Sequence, residues 1–309
     1  MIWLRSWKGL FPFINRVLMI NLDTETIGGY EVSARMKRIW AMELDMVRRF
    51  VEVCEEHHLR YWMMGGTLLG AVRHKGFIPW DNDIDLAMPR ADYNRLLEIG
   101  PTEFMAPMFF QTPVTDGARF FNTYVKIRNG NGIAATREEV ESGMNGGIFI
   151  DIFCLDEIPD SPKERKKYFQ RLARLTKMRR FVMEIPPKGG MVNRVKYLVQ
   201  KAIYRFIYHS PDAAELYRVY QREAARYAGT GCRQLAHRDF GYHEKFIWDK
   251  SDWDDTVQLP FMDLKLNAPA GYDAVLKRQY GDYWQIPEDK STHDYFEFDP
   301  DIPYSQYFQ

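Results

Sequence analysis

Cysteine is scarce: there are three in 309 residues, Cys54, Cys154 and Cys232. They are odd in number and far apart, with no CxxC and no Cys/His cluster, which excludes a disulfide framework and a zinc site. A reducing compartment is expected. Net charge is also missing, with 42 basic side chains against 42 acidic ones. No run of about 18 uncharged apolar residues occurs, so no segment reads as a bilayer span. Internal repeats and low-complexity tracts are absent, which excludes solenoids and arrays. What remains is a chain 46% hydrophobic and 15% aromatic, able to bury a full core without staples. At about 150 residues per domain, its length suggests two domains or one with a large elaboration.

Acids are locally scarce as well. Between Lys163 and Arg205 fourteen Lys and Arg face only Glu164 and Glu184. A solvated helix face is the plain reading of such residues, but the asymmetry also suits an anionic membrane surface or a lipid-linked partner. No nucleic-acid-binding motif accompanies the charge, so nucleic acid is not expected. The N-terminal stretch MIWLRSWKGLFPFINRVLMINL is apolar and basic, interrupted by Arg5, Lys8 and Arg16 and broken at Pro12. It lacks a small-residue cleavage site. Residues 1–30 read as a leader or an interfacial membrane-docking segment, and Met19 is an alternative start.

Met36, Ile39, Trp40, Val47, Phe50, Val51 and Cys54 recur at helical spacing, predicting one amphipathic helix over 34–58 that closes on His57 and His58. These two are read as cations at a helix C-terminus rather than as a metal pair. Leu59 to Met64 is expected as a short strand. Gly65-Gly66-Thr67 opens a short helix that Gly76 stops, and DNDIDLAM reads as a second strand. A helix is expected from about Arg90 to Ile99, then strands in FFNTYVKIRN and GGIFIDIF. From Pro162 to about Ala228 the pattern is helical, broken at Pro186-Pro187-Lys188-Gly189-Gly190, with Ser210-Pro211 as a helix start. The last 70 residues are mixed and aromatic-rich, and are expected to pack back as a lid.

The run Trp80-Asp81-Asn82-Asp83-Ile84-Asp85-Leu86 is the most informative. On a strand, Asp81, Asp83 and Asp85 share one face, with Asn82, Ile84 and Leu86 on the other. Carboxylates aligned in this way repel one another unless a cation lies between them, and oxygen ligands suit Mg²⁺ or Mn²⁺. A merely solvated edge is the alternative. The Gly65-Gly66-Thr67 turn lets backbone approach a phosphate, at a helix start whose N–H groups face an anion. In GIFIDIF, Asp151 lies between apolar neighbours, where burial is costly unless the acid binds something. Pairing with an Arg is the alternative there, and Asp156 and Glu157 read as loop acids. Tyr124, Lys126 and Arg128 share a strand face, and Arg73 follows the glycine turn. These cations fit either phosphate contact or surface solvation.

With these residues assembled, GGTLLGAVRHKGFIPWDNDIDLAMPRADY resembles the LicD family of phosphotransferases, to which the fukutin-type proteins are related. The resemblance continues through Lys126–Arg128, IDIFCLDEIP at 150–159 and LPFMDLKLNAPAGYDAVLKRQYGDYWQIP at 259–287. It implies an α/β (α+β) fold with a nucleotidyltransferase-like mixed-sheet core over 31–160, a basic helical region over 161–240 and a C-terminal cap over 241–309. It makes Asp83, Asp85 and Asp151 the catalytic and metal-binding carboxylates, with Mg²⁺ or Mn²⁺ as cofactor. Gly65, Gly66 and Thr67 would hold donor phosphate, assisted by Arg73, Lys126 and Arg128.

Two departures stand out. The family commonly has three consecutive acids where this chain has Asp81-Asn82-Asp83, and paired histidines where it has only His293 followed by Asp294. The implied reaction moves a phospho-alcohol, phosphocholine in the best-known case, from a CDP-linked donor to a hydroxyl of a cell-surface glycan or glycan-lipid precursor, releasing CMP. A quaternary ammonium would call for aromatic walls, and Tyr280, Tyr283 and Trp284 are the candidates. The expected location is cytoplasmic, at the inner face of a membrane. Two other readings stay open: a nucleotidyltransferase moving NMP from an NTP, and a non-catalytic protein binding membrane or polyanion.

Overall fold

The computed structural model describes residues 20–308 except 118–119, 137–138, 140, 142, 184–190, 209–211, 238–240, 289 and 291–296. The expected leader up to residue 19, the Pro-Gly break at 186–190, the Ser210-Pro211 helix start, and His293 with Asp294 lie outside the described residues.

The chain forms a mixed α+β fold with seven α-helices among the described residues. A hairpin of β1 (Glu25–Ile27) and β2 (Tyr30–Val32) precedes α1 (Ala34–Glu56), whose N-cap Ser33 accepts from the Met36 N–H. Then come β3 (Trp62–Met63), α2 (Gly65–His74), β4 (Asp85–Pro89), α3 (Arg90–Glu103), β5 (Met108–Gln111), β6 (Val125–Asn129), β7 (Ile133–Ala135) and β8 (Ile148–Ile158). Three helices follow, α4 (Pro162–Val182), α5 (Met191–Tyr208) and α6 (Ala213–Ala224). The remainder is β9 (Gln234–His237), β10 (Ile247–Asp249), the hairpin β11 (Thr256–Phe261) and β12 (Leu264–Pro269), α7 (Tyr272–Tyr280) and β13 (Glu297–Asp299).

β8 organises the main sheet. Its 11 residues carry β4 in parallel along one edge. Along the other edge run β6, against the first half, and β9, against the second. β3 flanks β4, β5 flanks β6 and β10 flanks β9, giving seven strands. β9 and β10 come from the regions expected to be the helical insertion and the cap, so one hydrogen-bonded sheet crosses both expected boundaries. β13 likewise returns to pair with β7. The core is continuous, from Trp40, Val47 and Phe50 of α1 through Leu86, Ile150 and Ile152 of the sheet to Trp248, Phe261 and Leu276.

Several local expectations change. The α2 terminus is closed by Lys75 in the left-handed region at φ 57°, one residue before Gly76. The acidic strand begins at Asp85, not Asp81: pairing with β8 starts at Asp85 opposite Asp151, and β3 joins on the other side from Leu86. β8 runs five residues past Phe153, so Asp156 and Glu157 are strand residues rather than loop acids. Asp156 is fully buried and takes both arms of Arg90, at 2.6 and 2.7 Å. His57 caps α1, with Nε2 3.0 Å from Glu103 of α3.

Candidate active site

Asp81 to Asp85 keeps its alternation even before the strand starts: the three aspartates are half-buried, and Asn82 and Ile84 are buried. Two bonds hold the segment in place, Trp40 Nε1 donating to the Asp81 carbonyl (3.0 Å) and the Asp151 N–H donating to the Ile84 carbonyl (2.8 Å). The register sets Asp85 opposite Asp151 across β4 and β8, and Lys126 opposite Asp151 across β6 and β8. Two acids and a lysine from three neighbouring strands thus meet on one face of the sheet.

The start of α2 closes this site from the side. A Cβ at Gly65 would stand 2.7 Å from Asp85 Oδ2, and one at Gly66 would stand 2.5 Å from Asp81 Oδ2. Gly65 also has φ +56°, a conformation that L side chains rarely adopt. Both glycines are therefore required for the acids to come so near the helix start. Thr67 is buried, and its Oγ1 accepts the Asp85 N–H at 2.8 Å. Its hydroxyl oxygen thereby fixes the strand to the helix.

Electrostatics follow from packing acids together away from water. Burial, then the charges of Asp83, Asp151 and Asp81, hold the Asp85 carboxyl well above the usual range, with Lys126 opposing. Burial raises Asp151 to about 6 against the pull of Lys126. Lys126 Nζ donates to both Asp151 oxygens, at 2.7 and 3.0 Å, and lies 3.2 Å from the Phe149 ring centre. Burial lowers its own pKa. The pairing expected of Asp151 with an arginine is therefore made by a lysine.

Glu43 of α1 belongs to the same cluster, and the sequence reading missed it. It is 1% exposed, and its Oε2 has no hydrogen-bond partner. Burial and then Asp83, Asp81, Asp151 and Asp85 push its carboxyl well above the usual range. Its signal was present: position 43 continues the 36, 39/40, 47, 50 apolar face of α1, where an acid is out of place.

The other predicted residues bond within the protein. Arg128 is fully buried, donating to Gln111, Glu139 and the carbonyls of Ala134 and Gly147. Those bonds join β6 to Gln111 of β5 and to the Ala134 and Gly147 carbonyls. Arg73 donates to the carbonyls of Tyr283 (3.0 Å) and Gln285 (3.4 Å), tying α2 to the segment after α7. Of the expected aromatic walls, Tyr283 is core, with its hydroxyl on Asp273 at 2.7 Å, and Trp284 is exposed. Tyr280 is 41% exposed, and its phenol is pushed up by burial and then by the charges of Asp85, Asp81 and Asp83.

An all-oxygen donor set of clustered acids, one with an orphaned buried oxygen, fits Mg²⁺ or Mn²⁺. The acids stand wider than a closed cage. Among the described residues the one trio of potential ligand atoms within 4.8 Å of one another is Glu56, His57 and Glu103, where Arg49 already pairs with both carboxylates.

Residues 58–160 match the family model described as LicD/FKTN/FKRP, nucleotidyltransferase domain. The lipopolysaccharide cholinephosphotransferase LicD of Haemophilus influenzae is 28% identical over 259 residues, covering 81% of this chain and 92% of that protein. The human ribitol 5-phosphate transferase FKRP is 50% identical over 44 residues, 14% of this chain and 9% of its own. Mannosyltransferase regulator 4 of Saccharomyces cerevisiae is 28% identical over 156 residues, 48% of this chain and 12% of its own. The stretch matched to that family model, residues 58–160, holds every acid of the cluster except Glu43.

Proposed function

We propose that this chain is a LicD-type phosphotransferase, moving a phospho-alcohol such as phosphocholine from a CDP-linked donor to a hydroxyl of a cell-surface glycan or glycan-lipid precursor and releasing CMP. The observation that carries the reading is the convergence of Asp81, Asp85, Asp151 and Lys126 beside a helix start opened by two glycines. The similarity to transferases named for phosphocholine and ribitol 5-phosphate supports the chemistry.

Asp83, Asp85 and Asp151 would hold Mg²⁺ or Mn²⁺. Such an ion, when bound, supplies positive charge against the pyrophosphate of the donor. The other roles fall to the chain itself. Gly65 and Gly66 admit a diphosphate to the α2 N–H groups, which favour negative charge. Thr67 holds Asp85 in register. Asp151, oriented by Lys126, would either complete that metal site or accept the proton of the attacking hydroxyl. The hydroxyl oxygen then bonds to the phosphorus bearing the alcohol, and the bridging P–O bond breaks with its electrons leaving on CMP. The acceptor would be presented at the cytoplasmic face of an anionic membrane.

Donor turnover followed by mass spectrometry tests the reading. Wild type and Asp83→Asn are incubated with Mg²⁺ or Mn²⁺, a glycan-lipid extract, and CDP-choline, CDP-ribitol, CDP-glycerol, CTP or ATP in turn. Metal-dependent CMP release from one CDP-alcohol, absent in the variant, is expected. Pyrophosphate release from an NTP would instead establish a nucleotidyltransferase.

A further inference from the structure

α5 is amphipathic, and its apolar face points away from the protein. Met191, Val192, Val195, Leu198, Val199, Ile203 and Phe206 are all more than half exposed, Met191 at 80% and Phe206 at 85%. At about 100° per residue these seven occupy one arc of about 140°. The opposite side is the one that packs: Tyr204 is buried, Tyr197 and Tyr204 lie 5.3 and 5.9 Å from the Phe181 ring of α4, and the Tyr197 hydroxyl donates to the Arg180 carbonyl. The outward face is therefore fixed by an anchored tyrosine side. Soluble monomers rarely show contiguous apolar surface on this scale without a use for it.

Charge identifies the occupant. On the same projection Arg194 and Lys201 border one edge of the arc and Lys196 the other. α5 contains no acidic residue. The neighbouring α4 adds exposed Lys163, Lys166, Lys167, Arg174, Lys177 and Arg180. No helix among the described residues is long and apolar enough to cross a membrane. An apolar stripe between basic margins is the composition of a helix lying in a bilayer interface, its lysine stems reaching back to anionic headgroups. A second copy of the chain fits less well, because a two-fold contact through this face would bring the like-charged margins together.

We infer that α5 docks this protein peripherally on an anionic lipid surface, with Leu198 and Phe206 inserted and Arg194, Lys196 and Lys201 at headgroup level. This rests on the helix itself and does not depend on the phosphotransferase reading.

The test uses the full chain with vesicles of phosphatidylcholine alone or mixed with phosphatidylglycerol. Wild type should co-sediment with the mixed vesicles, less so as salt rises, and weakly with phosphatidylcholine. Leu198→Glu/Phe206→Glu should lower that affinity by roughly two orders of magnitude with its circular dichroism spectrum unchanged. Arg194→Gln/Lys196→Gln/Lys201→Gln should lose the preference for the anionic vesicles. In Phe206→Trp, brominated lipid should quench fluorescence beyond the wild-type background. Binding unaffected by the Glu pair would overturn the inference, since another segment would then be the anchor. So would a wild-type dimer that the Glu pair converts to monomer without any vesicle binding. Asp83→Asn should bind vesicles as wild type does, so failure of the catalytic reading leaves this result intact.

Discussion

Asp85 Oδ2 lies where a methyl group on Gly65 would collide with it, at 2.7 Å. The start of α2 and the acids of β4 are thus a single unit, and one added carbon separates them. Gly65→Ala should abolish most donor turnover, since the alanine also carries roughly 1–2 kcal/mol of left-handed strain. Gly66→Ala separates the two effects, because it meets Asp81 Oδ2 without a positive φ. Turnover and thermal melts of both variants check this: activity should fall in both, and stability more in Gly65→Ala.

The buried acids set a pH dependence for the metal-free protein. Asp151 titrates near 6 in the fold and near its ordinary value of about 4 when unfolded. The folded state therefore holds the extra proton between those values, and stability falls as pH rises from about 4 to about 6. Asp85 and Glu43, also raised, add to the same slope. Denaturant unfolding across this range should show the decline, and Mg²⁺ or Mn²⁺ should flatten it by stabilising the ionised acids. A profile that rises over the same interval would contradict the assignment.

Asp156 and Arg90 form a buried, bidentate pair on the far side of the sheet from Asp151. Arg90→Met strands a buried carboxylate and should cost about 3–5 kcal/mol. Arg90→Met/Asp156→Leu should recover much of that. Chemical denaturation of the single and double variants reads the difference.

Arg128 separates a scaffold role from a ligand role. Arg128→Lys cannot reproduce its four bonds, and buried acceptors left unpaired cost about 1–3 kcal/mol. The melting temperature should drop, while KM for the donor stays unchanged where the variant is folded. A raised KM with unchanged melting would instead make it a phosphate contact.

Much of the site was legible in the sequence because alternation is a local property. The acid–apolar rhythm of residues 81–86 and the glycines that open α2 need only their neighbours to be read. Partnership across strands is not local. Lys126 and Arg128 share a face and a residue type, yet one faces Asp151 and the other Phe149, and only the register of β6 on β8 decides which. Glu43 was hidden for a related reason, since helical period gives its face but not the acids lying across from it. In α5 the apolar period was plain, but a stripe that faces outward reads the same as one that faces a core. Asp156 was misplaced because nothing in GGIFIDIF says where the strand stops.

β8 places its two buried aspartates an odd number of residues apart, so Asp151 and Asp156 emerge on opposite sides of one sheet. A single-residue deletion between them would rotate one set of side chains through the sheet, exchanging a buried carboxylate for a hydrocarbon. The spacing from 151 to 156 is therefore what fixes the side of the sheet that each carboxylate reaches.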